Sequence, residues 1–288
     1  MSCFSRRKAN RWSGSATAST LFPDGIETLH NPSHAIVDVC FIHGLTGNRR
    51  STWTAYGQSS PWPMSLLPTR LEDARLMTWG YDAYFVRTSV AGVNSLAEHA
   101  SNLIADLADE RTDDPARPLI LVAHSLGGLV CKRALLASRN NAERHLRDIF
   151  RSAKGIIFLG TPHRGSWMAD RGKLPAYVLS IVKSTNRSLL QILETNNRFL
   201  RAIHDDFLNM LRGLPEQEGR EVKVACFYEE LPMPRVGIIV SEESATFAGY
   251  RYSGIHANHS NMVKFASAED TGFKLVLAEL SSWTDECR

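Results

Sequence analysis

The sequence predicts an α/β fold: a mostly parallel central sheet flanked by helices, with a helical cap insertion. Three observations carry that reading. From Gly25 onward, short β-branched or aromatic runs alternate with longer helical patterns. The stretch "LILVAHSLGGLVCKRALL", Leu119 to Leu136, begins as a buried strand and ends as an amphipathic helix. The 288 residues, 43% hydrophobic and 22% charged, are enough for one large domain with a sizeable core.

Strands are expected at "AIVDVCFIH" (Ala35 to His43), "RLMTWGY" (Arg75 to Tyr81), "PLILVAH" (Pro118 to His124), "AKGIIFLG" (Ala153 to Gly160), "EVKVACFY" (Glu221 to Tyr228) and "RVGIIV" (Arg235 to Val240). Helices are expected over Ser95 to Arg111, Leu126 to Ser138 and Asp270 to Trp283, where leucines, valines and phenylalanines recur at helical spacing. Lys173 to Arg220 is far longer than an ordinary connection and reads as two or three helices. Such an insertion, about residues 166–220, is either packing on the core or a cap over the site. Residues 1–23 carry Arg6, Arg7, Lys8 and Arg11 and no acid, and read as a flexible basic tail ahead of a domain spanning 24–288.

Composition excludes several classes. A net charge of +3, with basic residues dispersed, lacks the concentrated patch that nucleic acid requires. The cysteines (Cys3, Cys40, Cys131, Cys226, Cys287) are odd in number and include no CxxC pair, so neither a disulfide framework nor a zinc site is expected. The most apolar long run, Leu119 to Ala137, contains His124, Lys132 and Arg133, which argues against a membrane span. With no secretory signal, a cytoplasmic location is expected, although the acid-free N-terminus is also compatible with a mitochondrial presequence.

The chemistry centres on "VAHSLGG". Ser125 stands in a G-x-S-x-G pattern with Ala123 in the first position. A sharp strand-to-helix turn needs small flanking residues and lifts the serine hydroxyl clear of the sheet. A serine so placed needs a base, an orienting acid and oxyanion donors, in the chain order Ser, acid, His. "FIHGLTG" puts His43 and Gly44 at the end of a strand, where a tight turn can present the Leu45 N–H beside that of Leu126. "ACFYEELP" offers Glu229 and Glu230 at a strand end; adjacent side chains there point opposite ways, so one of them faces the histidine. "GIHANHSNMVKF" offers His256 and His259, and position in the chain favours His259. His163 in "GTPHRGS" could also be a base, but it precedes the acid and breaks the order.

Taken together, "GIETLHNP", "VCFIHGLTGNRRSTW", "LLPTRLEDARLMTWGYDA", "AHSLGGLVCKRAL", "GIIFLGTPHRGS", "CFYEELP" and "HSNMVKFASAEDTGFKLVLAEL" resemble the serine esterase branch of the α/β-hydrolases. Within it, the chain is similar to the lipase-like domain of mitochondrial serine-active-site-containing proteins and to the N-terminal hydrolase domains of fungal NOD-like (NACHT or NB-ARC) receptors. The match spans Gly25 to Leu280. Two departures are Ala123 for glycine and "NHS" where such domains often carry an aspartate before the histidine.

The resemblance implies an α/β-hydrolase fold, with Ser125 as nucleophile, His259 as base and Glu229 as acid. Oxyanion donors would be Leu45 and Leu126, and His43, Gly44, His124, Thr161, Pro162 and His163 are pocket candidates. No cofactor or metal is called for. The expected activity is hydrolysis of carboxylic esters, with acyl lipids as substrates; acyl transfer would use the same three groups. The other expectation is an effector or signalling module of a receptor whose nucleotide-binding domain lies beyond this chain, since no G-x-x-x-x-G-K-[ST] loop is present. Peripheral membrane contact is compatible with either.

Overall fold

The computed structural model describes residues 24–44, 47–81, 92–163, 197–235 and 237–288. Among them, β1 (Gly25–His30), β2 (Val37–Ile42), β3 (Ala74–Gly80), β4 (Leu119–His124), β5 (Ala153–Leu159), β6 (Lys223–Glu229) and β7 (Arg251–Ile255) form one sheet in the order β1-β3-β2-β4-β5-β6-β7. β1 runs antiparallel to β3, and every other neighbouring pair is parallel. The helices are α1 (Trp62–Ser65), α2 (Gly92–Glu110), α3 (Gly127–Arg139), α4 (Arg144–Ser152), α5 (Asn197–Glu218), α6 (Glu242–Ala245) and α7 (Thr271–Asp285). None of the described helices is long and apolar enough to cross a membrane.

The central strands are apolar on both faces because both are covered, as parallel sheets require. On one face Cys40, Ile42, Leu121, Ile156, Phe158 and Cys226 pack against α2, α3, α4 and α5. On the other, Val39, Phe41, Ile120, Val122 and Ile157 meet Trp62 of α1 and Phe273, Val276 and Leu280 of α7. The alternation along β2 follows from the period of two in a strand.

One charged residue is fully buried at the amino-terminal edge of the sheet. Asp38 of β2 accepts two hydrogen bonds from Arg75 of β3, at 2.8 and 2.9 Å. Arg117, just before β4, reaches the same carboxylate at 3.2 Å, and Arg111, after α2, bonds it as well. Planar guanidinium forks suit this shared, desolvated carboxylate.

Five of the six expected strands form, within a residue or two of their expected ends. "RVGIIV" does not. Arg235 lies at φ 65° and Gly237 at φ 90°, and Met233 and Gly237 exchange backbone hydrogen bonds around a tight turn. Pro234 and the two left-handed residues break the extended run that its valines and isoleucines imply. The edge strands β1 and β7, and the helices α1, α4 and α6, are additional. The basic tail and residues 164–196 of the insertion lie outside the described residues. The described remainder of the insertion is α5, which buries Ile203, Phe207, Met210, Leu211 and Leu214 against the sheet and α3.

Candidate active site

The parallel strands all end at one edge of the sheet, where side chains from separate loops converge. Ser125 follows β4 directly and has φ 53°, a left-handed conformation that costs a non-glycine residue about 1–3 kcal/mol. Its N–H is held by the Leu159 carbonyl at 2.9 Å, so the elbow is anchored to β5. The turn leaves no room for side chains at its flank. A Cβ on Gly127 would lie 2.4 Å from the His43 carbonyl oxygen and 2.9 Å from that of Ile42.

From that elbow a hydrogen-bonded series runs across the edge. Ser125 Oγ donates to His259 Nε2 at 3.0 Å, and His259 Nδ1–H donates to Glu229 Oε2 at 2.5 Å. Glu229, the last residue of β6, is buried, as is most of His259. The carboxylate fixes the tautomer: a proton on Nδ1 leaves Nε2 free to accept. The other carboxylate oxygen, Glu229 Oε1, accepts the N–H groups of Ile239 and of Val240, the latter at 3.4 Å. These donors belong to the segment that departs from strand geometry. Beneath the imidazole, Gly160 sits at φ 58°, and a Cβ there would stand 3.0 Å from His259 Cε1 and Nδ1.

The alternatives fall elsewhere. Glu230 points outward and faces His256 at 3.1 Å, an exposed pair. His163 and Thr161 are fully buried behind the elbow; His163 packs against Phe158 and Phe247, with ring centroids 4.7 and 4.0 Å away. Pro162 is buried between them. His43 is buried and stacked on Tyr81. Its Nδ1–H donates to Gly44 O at 2.7 Å and its Nε2 accepts the Tyr81 N–H at 3.3 Å, the pattern of a neutral ring. Burial pulls its pKa down to about 4. His124 is buried too, and its Nε2 lies 3.1 Å from the His259 carbonyl oxygen. Burial, then the neighbouring His259, push its pKa well down.

Leu126 stands between Ser125 and the first turn of α3, where the leading N–H groups of a helix have no partner within it. Leu45 lies outside the described residues. The residues missed from sequence are Ile239 and Val240, which act through backbone atoms, and Gly160. A glycine directly after a buried strand was the one available signal for the last.

A model of the alpha/beta hydrolase family matches residues 41–260. Protein SERAC1 of Danio rerio is 30% identical over 240 residues, covering 73% of this chain and 33% of that protein. The chain thus spans about a third of that relative's length, and 40% of Protein SERAC1 of Homo sapiens. Triacylglycerol lipase 2 of Saccharomyces cerevisiae is 33% identical over 105 residues, 35% of this chain and 28% of that one. Among solved structures, the mature Bacillus licheniformis lipase BlEst2 shares the fold with a TM-score of 0.52 at 16% identity, over 89% of this chain and 97% of that one. With the family match running from within β2 to the residue after His259, the chain belongs to the alpha/beta hydrolase family.

Proposed function

We propose that this chain is a serine hydrolase that cleaves carboxylic esters through an acyl-enzyme, with acyl lipids as its substrate class. The observation that carries the reading is the continuous series Ser125 Oγ, His259 Nε2, His259 Nδ1 and Glu229 Oε2, joined at 3.0 and 2.5 Å. Ser125 attacks the ester carbonyl while His259 Nε2 takes its proton, and Glu229 stabilises the imidazolium that results. The Leu126 N–H, with that of Leu45 as the second donor, holds the developing oxyanion. His259 then protonates the leaving alcohol, and water deprotonated by His259 releases the acid. If an alcohol replaces water in that second step, the outcome is acyl transfer. The lipid preference is supported by the resemblance to lipase-like domains and by the matched yeast protein's description as a triacylglycerol lipase.

A fluorophosphonate probe tests the reading. Wild-type protein is expected to be labelled and Ser125→Ala not; absence of labelling on folded wild-type protein refutes it. A series of p-nitrophenyl esters tests the substrate class. Turnover is expected to rise from acetyl to longer acyl chains, and a preference for acetyl overturns the lipid assignment. Adding an acceptor alcohol distinguishes transfer from hydrolysis by the new ester formed.

A further inference from the structure

Two consecutive residues hold two different atoms of His259. Ser125 engages the ring through Nε2 at 3.0 Å, and His124 engages the main chain, with its Nε2 3.1 Å from the His259 carbonyl oxygen. A carbonyl only accepts, so His124 carries its proton on Nε2. The two rings lie 4.9 Å apart at a 40° tilt. On its far side, His124 faces the glycine turn after β2: a Cβ on Gly44 would stand 3.3 Å from His124 Nδ1. The base itself arrives on a turn after β7, 134 residues along the chain from Ser125.

We propose that His124 is a positioning residue, whose N–H pins the backbone of the His259 turn to the nucleophile elbow so that the distance between hydroxyl and imidazole is set from one strand end. The inference rests on the assignment of Ser125 and His259 given above. A ring tethered only through Nε2 and Nδ1 could still tilt with its backbone; the attachment at the carbonyl removes that freedom. Misplacing a reacting group by about 1 Å costs roughly 100-fold in rate, so a tether of this kind acts on turnover more than on binding. The choice of histidine also has an electrostatic side. Burial first, then His259 and, more weakly, His43 and Lys264, disfavour the charged form of the ring. A neutral neighbour leaves His259 free to become the imidazolium that the reaction requires.

The test compares His124→Phe, which keeps an aromatic ring but has no donor, with His124→Gln, which keeps an amide N–H. With p-nitrophenyl butyrate, His124→Phe is expected to lose roughly 10–100-fold in kcat with KM little changed, and His124→Gln to recover most of it. The acid limb of the kcat/KM profile should stay in place in both variants, because a neutral tether takes no part in the proton transfer. A His124→Phe enzyme within about twofold of wild-type kcat overturns the proposal. So does a loss that His124→Gln fails to restore, or an acid limb that moves. If His124→Phe does not fold, ¹⁵N spectra of the wild-type protein decide: a neutral Nε2–H ring is expected at about pH 6.5, where a free histidine is half protonated, and a charged ring or the Nδ1–H form refutes it. Loss of activity in His124→Phe while Ser125→Ala stays active would instead sink the assignment of Ser125.

Discussion

Lys132 offers a prediction that follows from burial alone. It lies on α3 with none of its surface exposed, its Nζ 3.2 Å from His204 Nδ1 and within 4.6, 5.5 and 5.7 Å of the ring centroids of Phe247, Phe207 and Phe158. Cys226 is a further polar neighbour, its Sγ 3.9 Å from His163 Nε2, and no carboxylate is bonded to Lys132 among the described residues. Burial therefore pushes its pKa well down. Folding strips the proton from a buried amine that has no carboxylate partner, a penalty that an apolar side chain of similar volume escapes, while losing one hydrogen bond costs about 1 kcal/mol. Lys132→Met should accordingly be more stable by about 1–2 kcal/mol at neutral pH, raising Tm by about 2–8 °C. The pH dependence is sharper still. Between the depressed folded pKa and the unfolded value of about 10.4, the unfolded chain binds one more proton than the folded one, so wild-type stability rises with pH across that window. The advantage of the methionine variant should be largest on the low side of the window and shrink as pH approaches about 10. Urea melts of both proteins at about pH 7 and about pH 9.5, followed by tryptophan fluorescence, measure this. A destabilised variant, or a difference that does not change with pH, would refute the reasoning.

Glu229→Gln removes the negative charge that orients His259 and should lower kcat by roughly 10³–10⁴-fold, whereas Glu230→Gln, in an exposed pair, should leave it within about twofold; steady-state kinetics on one ester separate them. Asp38→Ala strands buried guanidinium groups and should destabilise the fold by about 3–5 kcal/mol in urea melts; a loss under about 1 kcal/mol would mean that the arginines find other partners at no cost. Gly160→Ala should lower kcat by roughly 10–100-fold by displacing the imidazole, and add about 1–2 kcal/mol of backbone strain; a fully active variant would show that the ring can move aside.

The central strands were legible because they are buried on both faces, so "VDVCFI", "LILVAH" and "AKGIIFL" read as continuous apolar runs. β1 and β7 were not, since "GIETLH" and "RYSGI" are short edge strands with polar, partly exposed residues and little to distinguish them from loops. The segment Arg235 to Val240 misled for the opposite reason. Its side chains suit a strand, while its backbone is spent on holding Glu229, and backbone donors leave no mark on residue identity. The geometry joining Ser125, Glu229 and His259 was foreshadowed by chain order, because a parallel sheet delivers successive strand ends to one edge. Lys132 shares a helix face with Gly128, Leu135 and Leu136 by spacing, yet nothing in the sequence says that a lysine on that face goes fully under.

The buried Asp38 and its arginines sit at the opposite end of the sheet from Ser125. That separation makes the protein modular in a practical sense. The loops after β2, β5, β6 and β7 lie away from the ionic knot that ties β2 and β3 to the entrance of β4, so positions in them other than Gly160, Ile239, Val240 and His259 can be changed without touching it. Library design can therefore vary the remaining positions of one rim and leave the other as an untouched anchor.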